Sequence, residues 1–175
     1  NMLRNPPSRF EQYIQHNSPE FEVEVTYPSI KQIFFEDIVL NMEIPPLVRN
    51  LSHELFVRYA ACTNDFFRHH VDYLYAVALG WKDCIAHGAL GGCFLSKLMT
   101  DWIGEKGKLC RWQARYRAPG YPGETWTCKG KVVRKYKNSG GNFIDCNIWI
   151  ENQDNVIVTP GSATVTLPSK NRTSY

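Results

Sequence analysis

An aspartate and a histidine five positions apart, Asp65 and His70 in Asp65-Phe66-Phe67-Arg68-His69-His70-Val71-Asp72, are the residues of this chain best suited to chemistry. A carboxylate and an imidazole held together can move protons at neutral pH, since the imidazole titrates near that pH. Further on, Ile85-Ala86-His87-Gly88-Ala89 places a glycine at the start of an apolar run. A glycine amide opening a helix lets an oxygen approach closely and sets the positive end of the helix dipole against it. The two segments together predict an acid/base enzyme with Asp65, His70 and the Gly88 amide as its reacting groups.

These residues need elements to hold them. Ser52 can cap a helix that carries Leu55, Val57, Tyr59 and Ala60 and ends before Thr63-Asn64, which puts Asp65 on an overhanging loop. Asp72 can cap a short helix over Tyr73–Leu79 that Gly80 stops. After Gly88, Leu90, Phe94, Leu95, Leu98, Met99, Trp102 and Ile103 recur at helical spacing and predict one long helix, ended by Gly104 and Gly107.

The remainder reads as strands. Phe34–Val39 is expected to be a first strand running into a Pro45-Pro46 turn. Leu109–Ala118 and Val156–Leu167 flank two alternating segments, one with Trp126, Cys128, Gly130 and Val132 inward, the other with Ile144, Cys146, Ile148 and Ile150 inward. Asn138-Ser139-Gly140-Gly141-Asn142 joins them as a hairpin turn. The expected class is α+β, an antiparallel sheet wrapped around a long central helix, with dimerisation to cover the other sheet face.

A chain of 175 residues with 43% hydrophobic content suits one domain with a sizeable core. Residues 1–30, proline-rich, read as an N-terminal arm, 31–168 as the domain and 169–175 as a tail. A net charge of +3 is too small and too dispersed for a nucleic-acid partner. Six cysteines without a Cys-x-x-Cys pair predict buried free thiols in a reducing compartment, and no apolar run spans a bilayer, so a cytoplasmic location is expected.

Three segments in order carry a resemblance. Asp65, His70 and Asp72 follow the pattern of an Asp, four residues, a His, and an Asp two residues on; Gly80-Trp81 precedes Ile85-Ala86-His87-Gly88-Ala89-Leu90; and Arg115-Tyr116-Arg117 leads to Pro122-Gly123-Glu124-Thr125. Over roughly Phe34–Pro168 the chain thus resembles the MaoC-like dehydratases, the (R)-specific enoyl-CoA hydratase family of the hot-dog fold. The resemblance implies reversible addition of water to a trans-2-enoyl thioester to give an (R)-3-hydroxyacyl thioester. It implies coenzyme A as part of the substrate, with no separate cofactor and no metal. Asp65 and His70 would act jointly on one water, and Gly88 would be the oxyanion donor. The chain departs from the family pattern at Phe67-Arg68, where relatives usually carry Asn-Pro.

Neighbouring residues have readable roles too. Phe66, Phe67, Trp81 and His87 are expected to line the substrate site, with His87 also orienting the loop by hydrogen bonding. His69 is expected to point away from His70, as adjacent side chains do in an extended loop. Lys129, Lys131, Arg134, Lys135 and Lys137 read as a solvated strand face, with coenzyme A phosphates as their target if they bind anything. A metal site lacks a third ligand at recognisable spacing, and Asp72 falls too close to His70 for a His-His-x-x-x-Asp-Gly acyltransferase signature. The competing functions are a binding subunit of a hetero-oligomeric dehydratase and a hot-dog thioesterase.

Overall fold

In the computed structural model, which describes residues 31–170, the elements follow as β1 (Glu43–Asn50), α1 (His53–Thr63), α2 (Arg68–Val71), α3 (Tyr73–Ala78), α4 (Gly88–Ile103), β2 (Lys108–Ala114), β3 (Thr125–Asn138), β4 (Gly141–Glu151) and β5 (Ile157–Thr166). The five strands form one antiparallel sheet in the order β1-β3-β4-β5-β2. All five strands contact α4, so the sheet curls around it as a hot-dog fold. The arm expected over residues 1–30 and most of the tail lie outside the described residues.

The physical reason is the match of two periods. Helix α4 buries Leu90, Phe94, Leu95, Leu98, Met99, Trp102 and Ile103 along one stripe, while β4 buries Ile144, Cys146, Ile148 and Ile150 at every second residue. Joining the stripe to the sheet face removes both from water, at roughly 25 cal/mol per Å² of apolar surface. Ser139-Gly140 makes the β3–β4 hairpin as expected. Among the described residues no helix is long and apolar enough to cross a membrane.

The N-terminal strand assignment is corrected. Phe35–Asp37 is a 3₁₀ turn in which Phe35 and Ile38, three apart, are both buried, a spacing that a turn satisfies and an alternating strand does not. Pro45 and Pro46 lie inside β1 and not in a turn. They are tolerated because β1 is an edge strand whose register shifts between Ile44 and Leu47, where the missing amides break no ladder.

Two other expectations change. Cys84, Cys128 and Cys146 are buried free thiols, but Cys62, Cys93 and Cys110 are exposed. The basic strand is only partly solvated: Lys129 pairs with Glu151, Lys135 donates to the Ile38 carbonyl at 2.7 Å, and Lys135 and Lys137 lie over the Phe35 ring.

Helix α1 has its expected cap, with Ser52 Oγ accepting from the Leu55 amide at 3.1 Å. Ser52→Ala is expected to cost about 1 kcal/mol, because an orphan helix amide loses its acceptor. The urea midpoint should fall while the slope of the transition stays unchanged.

Candidate functional site

Helix α1 ends at Asn64, whose left-handed φ of 56° reverses the chain and delivers Asp65 to the edge of the overhang. Two residues later the chain turns into α2. That turn is clamped to the segment before α4 by two bonds: the Ile85 amide donates to the His69 carbonyl at 3.0 Å, and His70 Nδ1 donates to the Ile85 carbonyl at 2.7 Å. On the far side, the Ala86 amide donates to the Gly120 carbonyl at 2.8 Å, and Gly123 and Glu124 bond to both sides of Leu51. The Pro122-Gly123 turn therefore buttresses the segment that carries His87 and Gly88.

The result is a compact group at the N-terminal end of α4. His70 is 8% and His87 1% exposed, and their rings stack at 3.7 Å between centroids. His87 Nε2 donates to the Asp65 backbone carbonyl at 2.9 Å, a hydrogen bond to the overhang loop. A carbonyl only accepts, so His70 carries its proton on Nδ1 and its neutral form offers a lone pair on Nε2. Asp65, His70 and His87 place side-chain donor atoms within 4.8 Å of one another. Gly88 is the first residue of α4, where an amide has no intrahelical acceptor and the helix dipole is positive.

The family model described as a MaoC like domain matches residues 40–148, well over half of the chain. The chain belongs to the MaoC-like dehydratase family. Among solved structures this MaoC-like protein is similar to the (R)-hydratase PhaJ1 from Pseudomonas aeruginosa, with a TM-score of 0.73 and 20% identity over 82% of this chain and 93% of that one. It is also similar to the (R)-hydratase from A. caviae involved in PHA biosynthesis, with a TM-score of 0.68 and 19% identity over 76% and 99% of the two chains. A chain of the ChsH1–ChsH2 complex from Mycobacterium tuberculosis gives a TM-score of 0.66 and 24% identity over 74% and 98%. These likenesses show the shared fold. No curated protein matches the chain.

The expected site residues do not all converge. Asp65, His70, His87 and Gly88 lie together. Phe67 reaches the group indirectly, its ring 4.6 Å from that of His69. Phe66 and Trp81 are exposed, and no aromatic contact or hydrogen bond joins either to the histidines. His69 is a correction: it does not point away, because residues 68–71 form a helical turn and not an extended loop. Its Nε2 lies 3.0 Å from His70 Nε2, with the rings edge-on.

Arg68, which stands at the position of the family proline, donates twice to Asp72, at 2.6 and 3.1 Å, and lies over the Tyr75 ring at 4.4 Å. Asp72 in turn caps α3 by accepting from the Tyr75 amide at 3.0 Å. The ion pair and cap hold the short turn that a proline would otherwise stiffen. They also lower the Asp72 pKa, with the Arg68 bond the largest cause.

Two residues of the site were missed in the sequence. Tyr59 of α1 packs its ring 4.8 Å from that of His87, and burial pushes its hydroxyl up to about 12. Tyr116 covers the start of α4, so close that a Cβ on Gly88 would lie 2.8 Å from its ring. Tyr59 gave no signal beyond an amphipathic helix; Tyr116 sat within the basic element already singled out.

As for metal binding, His70 Nδ1 and His87 Nε2 are engaged with backbone carbonyls, and the atoms left are the Asp65 carboxylate, His70 Nε2, which faces His69, and the buried His87 Nδ1. A second trio, His53, Asp83 and Cys84, is equally close, but His53 Nε2 is bonded to Asp83 at 2.9 Å and burial raises the Cys84 thiol.

Burial lowers the pKa of His70, as does the charge of His87 and His69 against the Ile85 bond and Asp65, which raise it; burial likewise lowers His69. The unfolded chain takes up protons near 6.5 while the native cluster resists them. Stability should therefore be fully present above about pH 6.5 and fall as pH drops below it, toward the lowered native values. Urea unfolding at a series of pH values checks the sign: a midpoint that rises on acidification through this window contradicts it.

Proposed function

We propose that this protein adds water to the α,β double bond of a trans-2-enoyl-CoA, and removes it in reverse, through Asp65, His70 and the Gly88 amide. The observation that carries the reading is the tautomer of His70: the Ile85 carbonyl holds its proton on Nδ1 and leaves the basic lone pair on Nε2, in a group where Asp65, His70 and His87 bring side-chain donor atoms within 4.8 Å of one another.

In the forward direction a water oxygen attacks the β carbon as the Asp65–His70 pair takes one of its protons. The π electrons move through the α carbon onto the thioester oxygen, where the Gly88 amide and the α4 dipole stabilise the enolate. The enolate then collapses, and the pair returns one proton to the α carbon. One water enters the product and no redox change occurs, so coenzyme A is needed only as part of the substrate. The face of the β carbon that water attacks sets the configuration, and the likeness to the (R)-specific hydratases supports the (R)-3-hydroxyacyl thioester.

Coenzyme A phosphates find their cations at Arg115 and Arg117. These flank the Tyr116 that covers Gly88 and line a groove of about 320 Å³ with Pro160 and Ser162. The larger cavity, about 730 Å³, lies around Trp102 at the other end of α4, roughly 24 Å away along a 16-residue helix. The exposed Phe66, Phe67, Leu74, Val77 and Trp81 suit cover by a second copy, which makes a homodimer the proposed state. The free thiols fit a reducing cytoplasm.

The test follows the loss of enoyl-thioester absorbance on mixing with a trans-2-enoyl-CoA, comparing wild type, Asp65→Asn and His70→Ala. Equal rates in all three would sink the assignment. Oxidation of the product by an (S)-specific but not an (R)-specific hydroxyacyl-CoA dehydrogenase would contradict the stereochemistry. The Phe67-Arg68 departure is the feature that favours the alternative, a binding subunit with an impaired pocket; the Arg68–Asp72 pair, which spans the α2 turn, weighs against it. An active homodimer by mass measurement excludes that alternative, and release of free thiol from an acyl-CoA would instead mark a thioesterase.

A further inference from the structure

The reaction as described leaves His69 without a part, yet His69 touches the one atom of His70 that matters most. His70 Nδ1 is held by the Ile85 carbonyl, so any proton His70 gains or shares must sit on Nε2, and His69 Nε2 lies 3.0 Å from it. Only one proton fits on that line. When both rings are neutral, His69 donates to the His70 lone pair; when His70 is protonated, it donates back to His69. His69 is half-buried where His70 is buried, and the Phe67 ring backs it at 4.6 Å.

We propose that His69 is a positioning residue that shares a single proton with His70 along the Nε2–Nε2 line and so sets when the His70 lone pair is free to take a proton from water. The inference rests on the hydratase reading for its use of that lone pair, but the pairing itself stands on geometry. The other titratable or charged groups around the two rings are Asp65 on the overhang and His87 at the start of α4, with Tyr59 of α1 behind His87. Asp72, on the next turn, is already bound by Arg68. His87 Nε2 is spent on the Asp65 carbonyl, which leaves His69 as the group in contact with His70 Nε2.

An N–H directed at a lone pair must turn away before that lone pair accepts a proton, and a charged imidazole resists the charging of its neighbour. Removing His69 therefore uncouples the His70 titration, taking away both the N–H that competes for the lone pair and the acceptor of the protonated form. The experiment is an NMR titration of ¹⁵N-histidine-labelled wild type, His69→Ala and His69→Gln between about pH 8 and about pH 5, with His70→Ala used to assign the His70 signals. In wild type the His69 and His70 signals should titrate together in two coupled steps. His69→Ala should collapse the His70 titration to a single step with a displaced midpoint, and the acid limb of kcat/KM should move with it. His69→Gln keeps a donor and should lie nearer wild type.

Independent single-step curves in wild type, or an unmoved His70 midpoint in His69→Ala, would overturn the proposal. Should His69→Ala fail to fold, the wild-type curves alone decide by the same criterion. The titration needs no turnover, so a wild type that hydrates no enoyl-CoA counts against the proposed function while the His69–His70 pair is still decided.

Discussion

His70→Ala is expected to lower turnover of a trans-2-enoyl-CoA by about 10²–10⁴-fold, the usual contribution of a positioned proton-transfer group. The reason lies in two bonds. The Ile85 carbonyl fixes the tautomer of His70, and the same segment carries His87, whose bond to the Asp65 carbonyl fixes the overhang. An alanine removes the lone pair and leaves the Ile85 carbonyl without its donor, so some loss of stability is expected too. His70→Asn separates the effects: its amide can replace the donor but cannot act as a base. Folding close to wild type with turnover as low as in the alanine variant supports proton transfer at His70. Asparagine turnover near wild type would end that assignment.

Gly88→Val should reduce kcat by up to about 10²–10³-fold, the ceiling set by denying the thioester oxygen its oxyanion donor. The amide remains in the variant, so the loss must come from the side chain. A Cβ at this position lies 2.8 Å from the Tyr116 ring, and a branched residue must displace either that ring or the first turn of α4. Pairing Gly88→Val with Tyr116→Ala removes the obstacle. Recovery of activity in the double variant assigns the loss to crowding against Tyr116. Continued loss with a normal unfolding midpoint assigns it to the blocked approach of the thioester oxygen. Full activity in Gly88→Val alone would remove Gly88 from the mechanism.

Much of the fold was legible because burial has a period. The α4 stripe and the alternation in β3 and β4 each report one face of one element, and the structure buries the residues those patterns selected. Phe34–Val39 misled because aromatic and β-branched residues favour a strand by type, although their order does not alternate; the packing of Phe35 and Ile38, three apart, chose the turn. Pro45-Pro46 misled because a proline pair ends most strands; whether a strand is at an edge is a property of the sheet and not of the segment.

The site was legible to a lesser depth. Asp65, His70, His87 and Gly88 were selected by residue type, order and spacing, and the fold brings them to one end of α4. Arg68 stands where the family carries proline, and its reach to Asp72 ties the α2 turn to the cap of α3. Local sequence shows the residue that is missing; the replacement contact lies a full helical turn away.

By itself the sequence determined which groups can move a proton, where one helix must run and which strand faces are apolar, since these depend on residue type and on neighbours a few positions away. Only the tertiary structure decided which nitrogen of His70 is free, that His69 meets it, and that Tyr116 closes over Gly88. Those depend on contacts between segments distant along the chain, Ile85 with His70 and Tyr116 with Gly88, and on a turn at 68–71 whose helical form reverses the direction of a side chain.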